Sequence, residues 1–289
     1  MPFSSPSARP LRHTSPAGAF EIHTSGAHVT RWDTPQYGPV IFTSAQTGYG
    51  VGTAIRGGIP LCFPWFGAGI TGTQKPSHGF ARTTAWRAVE SQENSDGSWQ
   101  VSLELGPLDL THESARSFLH QFRATFSARF SDSSLSVSLT VHNAGTSTFT
   151  YEEALHTYFA VGDIEQIEII GLEDSNYLDK TAPADQEHQG PAGEPITFTG
   201  EVDRVYESSR TTTILDRSLG RLITIAKKNS KNTVVWNPWS KRAAEMKDLG
   251  NDEWRKFVCV ETANVHGNAI TLAPGKTHTL SAKYTLNRA

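Results

Sequence analysis

The dominant period along the chain is two. Leu135, Val137, Leu139 and Val141 interleave with Ser134, Ser136, Ser138 and Thr140. Phe122, Ala124, Phe126, Ala128 and Phe130 alternate with mostly polar neighbours, and the pattern returns at Val101, Leu103 and Leu105 and at Leu280, Ala282, Tyr284 and Leu286. Such alternation predicts antiparallel strands buried on one face. Turn residues punctuate these runs at Ser95-Asp96-Gly97, Asn143-Ala144-Gly145 and Pro274-Gly275. Helical periodicity is scarce; the best segment is 241–249, following Ser240 as a cap. Many strands with few helices predict an all-β protein, a large antiparallel β-sandwich or barrel.

No internal repeat and no βαβ rhythm interrupts this style. The stretch 182–200 is rich in Pro, Gly and acidic residues and reads as a long loop, because strands resume on both sides of it. The expected organisation is therefore a flexible lead-in over 1–19 and one β-sandwich domain over 20–289. With 289 residues, 37% of them hydrophobic and 10% aromatic, the chain can bury a sizeable core.

Charge narrows the function classes. Charged residues are only 19% and the formal net charge is -3, without the concentrated basic surface that nucleic acid requires. No run of 18 apolar residues predicts a membrane helix. The lead-in has Ser and Arg and no acid, but its prolines oppose an amphipathic targeting helix and it has no apolar signal core, so a cytoplasmic protein is expected. Cys62 and Cys259 both sit in apolar runs and read as buried small hydrophobes rather than a disulfide framework. No metal-binding spacing and no phosphate-cradling glycine motif is present.

Four stretches stand out. In 52–67, Arg56 is the one charge in an apolar, Gly- and Pro-bent segment; such an arginine either snorkels to the surface or is held for an anion. In Ser77-His78-Gly79-Phe80-Ala81-Arg82, spacing alone favours a turn histidine satisfied by backbone over a ligand role for His78. Arg82 can pair with a carboxylate, or can join Arg56 on a phosphate. In 151–160, a continuous strand would put His156 on one face with Ala154, Tyr158 and Ala160, where a ligand could reach it. In Phe257-Val258-Cys259-Val260-Glu261, an apolar run leads straight into a carboxylate, whose expected response is a raised pKa suited to acid–base work. Trp236 and Trp239 add aromatic faces of the kind a sugar needs.

Together these stretches resemble the glucose-6-phosphate 1-epimerase (hexose-6-phosphate mutarotase) family of the aldose 1-epimerase superfamily. The matching segments are Arg56-Gly-Gly-Ile-Pro with Pro64-Trp-Phe-Gly, His78-Gly-Phe-Ala-Arg, and Ala154-Leu-His-Thr-Tyr-Phe with Val161-Gly-Asp-Ile. Asp203-Arg-Val-Tyr, Val235-Trp-Asn-Pro and Phe257-Val-Cys-Val-Glu-Thr-Ala follow in the family's order. The resemblance implies a galactose-mutarotase-like β-sandwich (supersandwich), an isomerase that needs no cofactor, and a small sugar phosphate as partner. It implies His156 and Glu261 as the catalytic pair, and Arg56, Ser77, His78, Arg82 and Asp203 as substrate contacts. Ser77 stands where some members have glutamine. A monomer without nucleic-acid or membrane partners is expected. The alternatives are a mutarotase of unphosphorylated sugars such as galactose and a non-catalytic carbohydrate-binding sandwich.

Overall fold

The computed structural model describes residues 10–183 and 186–289. Among these, strands form two eight-stranded sheets, a four-stranded N-terminal sheet and a two-stranded ribbon, with antiparallel pairing throughout. The alternating runs of the sequence lie side by side in one large sheet, as Trp99–Leu105, Phe122–Phe130, Ser134–Asn143 and Thr277–Arg288. Their register sets apolar side chains opposite one another: Phe126 faces Leu139, which faces Leu280. Ser134–Asn143 alternates strictly between half-buried and buried positions, which is the period-two pattern made physical. Each fully buried Phe or Leu here contributes about 1.5–3 kcal/mol relative to exposure.

The other eight-stranded sheet carries the site. Its central strands Val202–Glu207, Asn232–Asn237 and Phe257–Asn264 lie in that order, followed by Glu153–Leu155 and Leu61–Cys62. Every residue of Phe257–Asn264 is buried. Val258 and Val260 enter a core shared with the opposite sheet, while Ala263 packs on the other face with Cys62, Ala154, Val205 and Val234. Both cysteines are free and buried.

Four expectations change. The lead-in is shorter than 1–19 on its described side: Pro10–Ser15 pairs with Gly18–His23, and His13 stacks between Phe20 and Trp99. Residues 1–9 of that expectation lie outside the described residues. The helix expected at 241–249 runs over Trp239–Ala243 instead. The side-chain oxygen of Asn237 accepts the Trp239 N–H at 2.9 Å and turns the chain before Ser240. Beyond it the chain continues in turns, with the Met246 N–H donating to the Ala243 carbonyl and the Leu249 N–H to the Met246 carbonyl. The segment 151–160 is not one strand: Glu153–Leu155 and Tyr158–Ala160 are separated at His156 and Thr157. The loop expected at 182–200 holds a two-residue strand, His188–Gln189, and residues 184–185 lie outside the described residues. Among the described residues no helix is long and apolar enough to cross a membrane.

Candidate active site

The interruption at His156 leaves the pairing register intact. Leu155 lies opposite Thr262 and Tyr158 opposite Cys259, so His156 falls across from Glu261. Directly opposed residues on one face of an antiparallel pair bring their side chains together, and here His156 Nε2 lies 3.2 Å from Glu261 Oε1. On the other edge the ladder with Leu61–Cys62 also continues in register. The His156 N–H donates to the Pro60 carbonyl at 3.0 Å and the Tyr158 N–H to that of Gly58 at 2.9 Å, tying the histidine to the segment that carries Arg56.

The same register places Asp203 opposite Trp236, Trp236 opposite Cys259, and Cys259 opposite Tyr158. The cleft wall is thus a row of carboxylate and aromatic rings beside the His–Glu pair. Tyr158 stacks on His156 with ring centroids 5.0 Å apart, and Trp236 meets His156 edge-on at 6.1 Å. His78 approaches His156 from the other side at 5.6 Å.

The seven residues that the resemblance assigns to the site line one cleft of about 740 Å³: Arg56, Ser77, His78, Arg82, His156, Asp203 and Glu261; Trp236 lines it too, whereas Trp239 packs on Trp254 instead. That volume lies in the range of ordinary small-molecule sites. The sequence reading passed over Lys180 and Asp248. Lys180 Nζ is 3.0 Å from Asp203 Oδ2, and Asp248 Oδ2 is 3.1 Å from an Arg56 amino nitrogen. The motif order gave no sign of either, because each contact joins segments far apart in the chain.

The loops set these side chains by close backbone approach. His78 and Gly79 both have positive φ, and a Cβ on Gly79 would stand 2.1 Å from the Phe63 carbonyl oxygen. His78 Nδ1 accepts from the Gly67 N–H at 3.2 Å, which leaves Nε2 as the proton-bearing nitrogen. After Arg56, His28 Nε2 lies 2.8 Å from the Gly57 carbonyl, and as donor to that carbonyl it supports the turn. His28 is fully buried, and desolvation pushes its pKa down to about 3.

The two guanidinium groups differ. Arg56 Nη1 donates to the Tyr158 hydroxyl at 3.0 Å and Nη2 meets Asp248, so this cation is already paired. Arg82 donates only to the Ser77 carbonyl at 2.8 Å; among the described residues it has no ion-pair partner, and its Nε is buried without a hydrogen bond. Burial pushes the His156 and His78 imidazoles well below the usual range, with Arg82 adding to both. Burial likewise raises the Glu261 carboxyl well above the ordinary value, with the Asp203 charge adding to it, while Lys180 and Arg82 oppose the rise. The pair therefore favours a neutral imidazole beside a protonated carboxyl in the free cleft. Among the described residues no group of three or more His, Cys, Asp or Glu is arranged to hold a metal ion.

The aldose 1-epimerase family model matches residues 11–285. The chain belongs to the aldose 1-epimerase family. It is accordingly an isomerase with a galactose-mutarotase-like sandwich. A Cenchrus ciliaris protein provisionally named as a glucose-6-phosphate 1-epimerase is 34% identical, over 89% of this chain and 78% of its own length. An Escherichia coli protein with the same provisional name is 35% identical, over 82% of this chain and 77% of its own length. The crystal structure of a Salmonella typhimurium protein, provisionally named a mutarotase, superposes with a TM-score of 0.85 at 26% identity. It covers 99% of this chain and 96% of that one. The Salmonella typhimurium structure shares the sandwich on which the His156–Glu261 pair is built.

Proposed function

We propose that the protein is a hexose-6-phosphate mutarotase, acting as a cytoplasmic monomer on the α and β anomers of glucose 6-phosphate. The observation that carries this reading is a cross-strand acid–base pair, His156 and Glu261, in a cleft that also holds the Arg82 guanidinium, which has no ion-pair partner among the described residues.

Anomer exchange requires a proton to leave O1 and another to reach the ring oxygen O5. In its ionic tautomer the pair does both, with Glu261 as base toward O1 and His156 as acid toward O5. The C1–O5 bond breaks, C1 becomes an aldehyde carbon, and rotation about C1–C2 presents its other face for closure with the roles reversed. The two tautomers of a shared proton carry the same total charge, so the pair moves between them without exchanging ions with solvent. Each positioned acid or base contributes roughly 10²–10⁴-fold. No electrons and no group are transferred, so the chemistry calls for no cofactor. Trp236 and Tyr158 offer apolar faces to the sugar C–H bonds, and Asp203 and His78 offer polar atoms to its hydroxyls. Arg82 holds the phosphate, and Arg56 joins it by exchanging part of its pairing with Asp248.

The Arg56–Asp248 ion pair favours a second reading, a neutral-sugar mutarotase in which Arg56 is purely structural. NMR exchange spectroscopy on glucose 6-phosphate, glucose and galactose separates the two. Faster anomer exchange for the phosphorylated sugar, with much smaller effects on the others, is expected. Equal acceleration of all three would remove the phosphate from the proposal, and no acceleration of any would remove the activity.

A further inference from the structure

Lys180 stands at the end of the strand Tyr177–Asp179, and none of the motifs that mark the cleft includes it. Its backbone N–H donates to the Asp203 carbonyl at 2.9 Å, and its ammonium reaches the carboxylate of the same residue at 3.0 Å. The ammonium also lies 5.8 Å from the centroid of the Phe66 ring, which packs edge-on against His78 at 4.8 Å. Lys180 thus bridges the Asp203–Trp236 wall of the cleft and the Phe66–His78 wall. Both partners of the ion pair are partly exposed, and such pairs contribute little to folding, about 0–1 kcal/mol. Its consequence is local electrostatics and orientation.

The groups facing Glu261 come from every element around it. They are His156 from the interrupted strand, Asp203 from Val202–Glu207, Lys180, Arg82 from the short helical turn, the Cys62 and Cys259 thiols, and the Tyr158 hydroxyl. Of these, Asp203 is the anion that opposes ionisation of Glu261, and Lys180 is the cation bonded directly to that anion.

We propose that Lys180 is a positioning residue of the site: its ion pair fixes the Asp203 carboxylate in the cleft wall and offsets that carboxylate's charge where Glu261 gives up its proton. The role in turnover rests on the mutarotase reading; the electrostatic role does not. Two readouts keep them apart. The first is a carbon-detected NMR titration of the Glu261 carboxyl in the substrate-free protein, assigned by comparison with Glu261→Gln. The second is the pH dependence of kcat/KM on glucose 6-phosphate.

Lys180→Met exposes Glu261 to an unbalanced Asp203 and raises its titration midpoint by about one pH unit. The basic limb of kcat/KM moves to higher pH with it, because the pair works while it holds its shared proton and stops when that proton is lost. Lys180→Arg keeps the charge and returns both readouts to near wild type. Lys180→Met/Asp203→Asn removes both charges and brings the midpoint back toward wild type. An unchanged midpoint in Lys180→Met overturns the proposal, as does a double variant that titrates like Lys180→Met. An inactive wild type refutes the mutarotase reading and leaves the substrate-free titration to decide the role of Lys180.

Discussion

Replacing Arg82 by alanine tests whether the cleft reads a phosphate. Arg82 donates to one backbone carbonyl, that of the exposed residue Ser77, and forms no ion pair among the described residues. Its removal therefore leaves no buried carboxylate stranded, and the fold should persist. In the substrate complex the guanidinium can make two parallel charge-assisted bonds to one phosphate. Each hydrogen bond to a charged group is worth about 1.5–3 kcal/mol, and about 1.4 kcal/mol is tenfold in affinity. Loss of even one bond should thus raise KM for glucose 6-phosphate between about tenfold and a hundredfold. Arg82→Lys, which keeps the charge without the planar fork, should fall between alanine and wild type. The assay is kcat/KM by anomer exchange for glucose 6-phosphate and for glucose, in all three proteins. The expected loss is confined to the phosphorylated sugar. The same fractional loss on both sugars would refute the reasoning, since glucose has no phosphate to hold.

Three other outcomes follow from the geometry. His156→Asn and Glu261→Gln should each lower the exchange rate by roughly 10²–10⁴-fold, and the double variant should be scarcely worse than either single one because the pair acts as a unit; near-wild-type exchange in either single variant would discharge that residue. His28 is neutral in the fold, with its pKa pushed down to about 3, whereas the unfolded chain takes up a proton below about 6.5. Stability should therefore decline from this residue as pH falls from about 6.5 toward 3, by at most about 1.4 kcal/mol per pH unit; urea melts of wild type and His28→Asn should diverge over that window and run parallel above it. Gly79→Ala places a Cβ against the Phe63 carbonyl at a positive φ, so it should lower thermal stability and activity together, and an unaltered melting temperature would show the turn to be adaptable.

The sandwich was legible because period two and one-sided burial are the same fact seen twice. Ser134–Asn143 and Phe122–Phe130 show it residue by residue. The short elements were not legible. The turn at Trp239 depends on an Asn237 side chain two residues back, a local bond that periodicity does not carry. Parity correctly put His156 and Tyr158 on one face, yet it could not show that the strand stops between Leu155 and Tyr158. Glu261 announced itself by a carboxylate in an apolar run. Lys180 and Asp248 did not, because their meaning lies in cross-chain partners, Asp203 and Arg56, that only the assembled sheet and loops bring near. Resemblance supplied the grouping of the motifs, and the pairing register accounts for why they converge.

The segment around His156 is held on both edges, against Phe257–Asn264 on one side and the backbone after Arg56 on the other. The His156 and Tyr158 N–H groups reach the Pro60 and Gly58 carbonyls in the same register that pairs Leu155 with Leu61, tying His156 to the backbone that begins at Arg56. Main chain thus fixes the backbone spacing between His156 and the segment that begins at Arg56. On the proposed mutarotase reading, discrimination between differently placed anions would rest on this backbone as well as on the side chains that touch the sugar.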